Sequence, residues 1–118
     1  MTPDEQCVAI HVAIGRCRKE DVFYVTGVGH VYAVKNEGFM LERKIPRYYW
    51  DLNAMHEAEK YLRADPATGN GGWSDYGTNL QMICDFARKP KYHATSAQRA
   101  EAFLRTIGKW EEPNSKTN

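Results

Sequence analysis

Two short turns in the first half of the chain constrain its fold more than any other feature. Apolar runs at residues 22–25, 30–34 and 39–41 are rich in β-branched and aromatic side chains, and only the turns TGVG and KNEG separate them. Parallel strands need a crossover connection of about a dozen residues or more, which these turns are too short to provide. The sequence therefore predicts an antiparallel meander of about three short strands.

Helical patterns precede and follow these strands. We predict helices over residues 3–14, 52–63 and 78–88, and a last helix from Thr95 to about Ile107. Thr95 and Gln98 form a capping box, and Gly15 and Gly108 stand where helix ends are expected. The segment ERKIPRYYW is predicted as a loop because Pro46 disfavours a helix there. This order predicts an α+β fold, with a small antiparallel sheet packed with about four helices.

Length and composition bound the class of protein. The chain has 118 residues, which we assign to a single domain at 1–112 and a frayed polar tail at 113–118. No apolar run approaches the roughly 20 residues that span a bilayer, and the N-terminus lacks the basic region of a signal peptide. We therefore expect a cytoplasmic protein without membrane association. The net charge of +1 excludes strong binding of nucleic acid by the whole surface, so any such binding needs a local patch.

Several motifs that resemble catalytic or cofactor sites are incomplete. His56-Glu57 begins like the H-E-x-x-H zinc motif, but Lys60 stands where the second histidine ligand belongs. Gly27-Val28-Gly29 lacks the third glycine of a dinucleotide loop and leads into a strand, which indicates a hairpin turn. Cys7 and Cys84 lie in apolar helical patterns and are predicted to be buried free thiols. We expect a non-enzymatic protein without metal or cofactor; an enzyme whose site assembles only in three dimensions is the minority alternative.

Two segments that combine basic and aromatic residues are the main candidates for a ligand site. Each leads into the predicted start of a helix, where free N–H groups favour anions. Cations suit phosphate groups and aromatic rings suit base stacking, so the pattern indicates a nucleotide or another anionic ligand. The alternative is that the rings pack against the core and the cations complement a helix end. The candidate residues are Arg43, Lys44, Arg47, Tyr49 and Trp50 in the first segment, and Arg88, Lys89, Lys91 and Tyr92 in the second.

The segment ADPATGNGGWSDYG at 64–77 is predicted as a long glycine-rich loop. Loops of this length in a compact domain are commonly functional. Trp73 and Tyr76 are candidates for contact with a host protein or a second copy of the chain, because aromatic side chains are favoured in interfaces. The alternative is that both rings fold back over the sheet.

Two further stretches carry a family resemblance. DLNAMHEAEKYL at 51–62 and HATSAQRAEAFLRTIGKWEE at 93–112 resemble phrases found in small uncharacterised proteins of tailed phages and prophages, a group similar to the phage ABA-sandwich domain. The close match covers 32 of the 118 positions, with looser similarity before it; the departures are the stretch IGRCRKEDVFYVTGVG in the first half and the glycine-rich segment. The resemblance implies an αβα-sandwich-like fold and a location in a bacterial host cell. It also implies an accessory protein that acts by binding, for example against host defence or by sequestering nucleotide signals, and it transfers no catalytic residues.

Overall fold

The computed structural model describes residues 1–36, 38–64 and 69–111. A first helix precedes a three-stranded sheet, and three helices follow the sheet. The elements are α1 (Pro3–Ala13), β1 (Val22–Val25), β2 (Gly29–Asn36), β3 (Phe39–Lys44), α2 (Leu52–Ala64), α3 (Gly69–Phe86) and α4 (Ser96–Thr106), with 3₁₀ turns at Lys19–Asp21 and Lys91–His93. The predicted α+β class and the predicted order of elements are confirmed.

The sheet is an antiparallel meander with β2 in the centre, as predicted. Gly27 and Gly29 have φ values of +84° and +105°, which side chains disfavour and which a tight β1–β2 turn requires. The third strand is longer than predicted, because Glu42, Arg43 and Lys44 belong to it and not to a loop. Their own strand propensity is low, but the ladder with β2 continues as far as Lys44 and fixes their backbone.

The core lies among the helices, where α4 packs against the other three. Phe103 and Leu104 of α4, Ile10 of α1 and Met55 and Leu62 of α2 are completely buried. Burying a side chain of this size stabilises the fold by about 1.5–3 kcal/mol, so this cluster accounts for much of the stability. None of the described helices has the length and apolar character needed to cross a bilayer.

Local signals at the helix ends and at the cysteines agree with the prediction. The Thr95 hydroxyl accepts from the Gln98 N–H, and the Gln98 side chain accepts from the Thr95 N–H, which completes the capping box of α4. Cys7 and Cys84 are buried and unbonded to other cysteines, as predicted.

The glycine-rich segment is the main correction to the predicted fold. The structure is helical from Gly69 onwards, so residues 69–77 belong to α3 and not to a loop; residues 65–68 lie outside the described part of the chain. Glycine inside a helix costs about 1 kcal/mol relative to alanine, and this cost led the sequence argument to a loop. Tyr76, Leu80 and Cys84 recur at one-turn spacing on the buried side of α3, so packing of this side offsets the cost.

The helices cover only part of the sheet. The ring of Tyr32 on β2 lies 4.8 Å from the ring of His11 on α1, and Val22 and Tyr32 pack against the core. All six residues of β3 are exposed. A layer of helices on both sides of the sheet, as the resemblance implies, therefore does not extend to this strand.

Candidate ligand-binding cleft

A cleft of about 370 Å³ lies where the β1–β2 turn, the end of β3 and the start of α1 meet. This volume is within the range of about 300–1,000 Å³ that is typical of small-molecule sites. Lys44, Arg47 and Trp50, all from the first predicted segment, line it, and α1 contributes Asp4 and Cys7. The fold therefore brings three of the predicted ligand-binding residues to one concave surface.

The loop between β3 and α2, which carries Arg47 and Trp50, is fixed to the helices beneath it. The Tyr48 hydroxyl lies 2.7 Å from Nδ1 of the buried His11. The Tyr49 N–H points to the Cys7 sulfur at 3.5 Å, and the Ser96 hydroxyl donates to the Tyr49 carbonyl at 2.8 Å. These contacts to α1 and α4 hold the loop in one conformation, which reduces the entropic cost of ligand binding.

The exposed side of this loop presents a cation on an aromatic ring. The Arg47 guanidinium lies 4.6 Å from the centre of the Trp50 ring, and the Tyr49 ring meets Trp50 edge-on at 5.1 Å. Trp50 is 48% exposed, so a large part of the indole remains open to a ligand. A cation over an exposed indole contributes about 0.5–1 kcal/mol, enough to bias both side chains towards the observed pairing.

The charges of the cleft favour an anion with one charged end. Within the described residues, neither Lys44 nor Arg47 forms an ion pair, so both cations are available to a ligand. The carboxylate of Asp4 lies in the same cleft and opposes a second anionic group.

Cys7 is a structural residue of this cleft. Burial raises the pKa of its thiol, which the Tyr49 N–H contact only partly offsets. A neutral thiol is a poor nucleophile at neutral pH, so the geometry gives Cys7 a role in anchoring the loop and not in covalent chemistry.

The helix starts next to the two basic segments are occupied by their own caps. The Asp51 carboxylate accepts from the N–H groups of Asn53 at 3.0 Å and Ala54 at 3.4 Å. At α4 the N–H groups of Thr95 and Gln98 are bonded within the capping box. The caps satisfy part of the N–H groups at these helix starts, and neither residues 51–54 nor residues 95–98 line the cleft, so the side-chain cations supply its attraction for an anion.

The second predicted segment does not line the cleft. Arg88 lies in the turn after α3 with a φ of +59°, and the Lys89 amine donates to the His93 carbonyl at 3.5 Å. The Lys91 amine lies beside Gly77 of α3. Tyr92 lies in the 3₁₀ turn, and its side chain is outside the described part. The structure therefore does not bring the described residues of the two segments together at one site.

Two residues of the first segment also lie away from the ligand-facing surface. Arg43 is exposed on β3, where it is paired with Tyr32 of β2. Tyr49 is partly buried against the core and supports Trp50 from the side. Sequence proximity alone had grouped them with Lys44. The alternation of side chains along β3 separates Arg43 from Lys44, and packing against the core holds Tyr49 in the loop.

Tyr76, predicted as an interaction residue, is part of a buried polar cluster. Its side chain is 2% exposed, and its hydroxyl donates to the Glu59 carboxylate. Glu59 also accepts from Arg99 at 2.8 Å and lies 2.6 Å from Nδ1 of His56. Burial, together with the Glu59 hydrogen bond, raises the pKa of Tyr76 above its ordinary value. An exposed interaction role for Tyr76 is therefore wrong; Trp73 lies in α3, and its side chain is outside the described residues.

Sequence reasoning missed the buried polar cluster around Glu59 and a second cleft. Glu59 occupies the apolar stripe of α2 with Met55 and Leu62, and this spacing was the available signal. The second cleft, of about 600 Å³, lies between α1 and the segment after α4, with Val12 and Trp110 in its lining. It is the larger of the two, but its side-chain charges balance: they are Lys19, Lys109, Glu5 and Glu111. We assign the candidate site to the smaller cleft because its cations exceed its carboxylates.

Comparisons of the chain with protein-family models, with curated proteins and with solved structures give no match. The resemblance to small phage and prophage proteins therefore stays a prediction.

Proposed function

We propose that this protein binds a small anionic ligand in the cleft of Lys44, Arg47 and Trp50, and that the ligand is a mononucleotide or a similar phosphate ester. One observation carries the proposal: two cations without ion-pair partners in the described chain lie at the same cleft as a half-exposed indole. Cations suit the phosphate and an indole suits the base, and stacking on an aromatic residue contributes about 1–3 kcal/mol per base.

The roles of the individual residues follow from their chemistry. Arg47 binds phosphate oxygens through its planar fork, and Lys44 adds a second positive charge from the end of β3. The exposed part of Trp50 stacks on the base. Asp4 repels additional phosphate groups, so we expect monophosphates and cyclic monophosphates to bind more tightly than triphosphates.

The proposed role is that of a binding protein. The resemblance to phage and prophage proteins extends it to an accessory protein that acts on the host by sequestering a nucleotide signal or inhibiting a defence system. What supports this extension is the resemblance alone, whereas the cleft supports the binding step.

A thermal-shift screen tests the proposal. The probes are AMP, GMP, cyclic AMP, cyclic GMP, ATP and inorganic phosphate, each at low and high salt. A ligand at about 100 times its Kd stabilises the native state by roughly 2.7 kcal/mol, which raises the melting temperature by several degrees. We expect a shift with monophosphates that decreases at high salt, because exposed charges are screened. No shift with any probe would contradict the proposal.

Matched variants separate the two predicted segments. Arg47→Ala is expected to abolish the shift, whereas Lys91→Ala removes an equal charge outside the cleft and is expected to preserve it. Asp4→Asn removes the opposing carboxylate and is expected to tighten binding, most strongly for ATP. Loss of the shift in Lys91→Ala with retention in Arg47→Ala would move the site to the second segment.

A further inference from the structure

Strand β3 is an open edge with an apolar half. Within the described part of the chain, the strand order β1-β2-β3 leaves one side of β3 unpaired, and all six of its residues are exposed. Phe39, Met40 and Leu41 are 70%, 66% and 39% exposed. Edge strands of monomeric proteins are commonly protected by proline, by a bulge, by short length or by charged side chains. In β3 the charged side chains are confined to residues 42–44, and the apolar half at 39–41 belongs to an uninterrupted six-residue ladder without proline. Such an edge is a template for another strand.

The hydrogen bonding of the sheet shows which backbone groups of β3 face outwards. The N–H of Ile45, which directly follows β3, donates to the His30 carbonyl at 3.4 Å, so these two residues are a hydrogen-bonded pair. Bonded and non-bonded pairs alternate along an antiparallel ladder. In the observed register the groups of Phe39, Leu41 and Arg43 therefore face β2. The outward N–H and C=O groups belong to the other three residues, which are Met40, Glu42 and Lys44.

We propose that β3 pairs with β3 of a second copy of this chain, antiparallel about a two-fold axis at Leu41. The outward-facing N–H and C=O groups of one β3 strand must lie opposite those of the other, which leaves few symmetric registers. An axis at Glu42 places two carboxylates opposite each other, and an axis at Arg43 does the same for two guanidinium groups; both are destabilising. An axis at Met40 leaves a single hydrogen-bonded pair within the strands.

The register centred on Leu41 satisfies these conditions together. Met40 lies opposite Glu42 of the second copy, and the reverse pair follows by symmetry, which gives four backbone hydrogen bonds. Leu41 lies opposite Leu41 of the second copy, and Phe39 lies opposite Arg43 of the second copy, an arrangement that suits a cation over a ring. No like charges are directly opposed, and the exposed apolar residues of both strands lie within the contact.

The residue order of β3 favours the β3 strand of a second copy as its partner. The three apolar residues come first and the three charged residues follow, so antiparallel alignment with an identical strand matches each Arg43 to a Phe39. The contact is isologous and closes after two copies, as in most homo-oligomers. This inference is independent of the proposed ligand, because residues 39–43, which make the contact, do not line the cleft.

Sedimentation analysis over a dilution series tests the dimer. The unmodified chain is expected to reach twice the monomer mass of 13.5 kDa. Leu41→Lys places two positive charges on the axis and is expected to give a monomer with an unchanged circular dichroism spectrum. Met82→Lys on α3 is the matched control, since Met82 is 65% exposed and lies outside the proposed contact. A monomeric unmodified chain, or a dimer that survives Leu41→Lys, would overturn the proposal.

Cysteine crosslinking tests the register itself, in a Cys17→Ser background that leaves only the buried Cys7 and Cys84. Opposed residues in a non-bonded pair have Cα atoms about 4.5 Å apart, which a disulfide spans, so Leu41→Cys is expected to give a covalent dimer. Phe39→Cys is more exposed, but its two copies would lie four residues apart, roughly 13 Å, and are expected not to crosslink. Equal crosslinking of both variants, or crosslinking of Phe39→Cys alone, would refute the register.

Discussion

Acid is expected to weaken the fold through His11, the buried histidine beneath the loop of the cleft. His11 is 4% exposed, and its neighbours are the Tyr48 hydroxyl at Nδ1 and the Tyr32 ring. Burial, followed by the charge of Arg16, lowers the pKa of His11 from 6.5 to about 4. The imidazole of His11 is therefore protonated in the unfolded chain at a pH at which it is still neutral in the folded protein.

The sign and size of the effect follow from this difference. Between pH 6.5 and 4 the unfolded state binds more protons at His11 than the folded state does, so stability falls as the pH falls. One pKa unit corresponds to about 1.36 kcal/mol, so the interval from 6.5 to about 4 gives a loss of about 3 kcal/mol. About 2 kcal/mol of this is lost by pH 5, and the loss is complete below about pH 4.

Urea denaturation of the unmodified chain and of His11→Gln isolates this contribution. Glutamine keeps a polar group near Tyr48 but does not titrate, and other groups contribute equally to both proteins. On lowering the pH from about 7.5 to about 5, we expect the unmodified chain to lose about 2 kcal/mol more than the variant, a midpoint difference of roughly 1 M urea. Parallel pH profiles, or an NMR titration that gives His11 a pKa near 6.5, would refute the argument.

Three further substitutions test the packing and the ends of α3 and α4 by denaturant unfolding. Arg99→Met leaves the buried Glu59 carboxylate without its cation and is expected to lower the free energy of unfolding by about 3 kcal/mol. This is the low end for a broken buried pair, because His56 and Tyr76 still contact Glu59. A cost below about 1 kcal/mol would contradict the buried pair. Thr95→Ala removes the α4 cap and is expected to cost about 1 kcal/mol, and no change would mean that the cap contributes nothing. Gly77→Ala is expected to stabilise the fold by about 0.5–1 kcal/mol, because alanine is favoured over glycine inside a helix and the added methyl group meets only the Lys91 amine at 3.8 Å. A loss of stability would speak against a helix at this position.

The parts of the fold that the sequence predicted are those that local signals determine. Turns as short as TGVG admit only antiparallel strands, and the Thr95–Gln98 box marks the start of α4 without reference to the rest of the chain. The start of α3 is different, because the packing of Tyr76 and Leu80 overrides the glycines. The extension of β3 to Lys44 likewise depends on the partner strand and not on its own residues.

Only the part of the candidate site that comes from one short segment was predictable, for the same reason. Lys44, Arg47 and Trp50 lie within seven consecutive residues, so a sequence pattern finds them together. Whether residues 88–92 join them depends on how α3 and α4 pack, and no local pattern reports that. Asp4 and Cys7 reach the cleft from α1, more than 30 residues away in the sequence, and only the fold shows their presence.

An NMR titration of the ¹⁵N-labelled protein with AMP and cyclic AMP tests the central claim most directly. The indole N–H of Trp50 and the backbone N–H of Arg47 report on the cleft, and the backbone N–H groups of Arg88 and Lys91 report on the second segment. We expect saturable shifts at Trp50 and Arg47 that weaken with added salt, with Arg88 and Lys91 unchanged. Shifts confined to Arg88 and Lys91, or no saturable shift at Trp50 with either nucleotide, would contradict a nucleotide-binding cleft at this position.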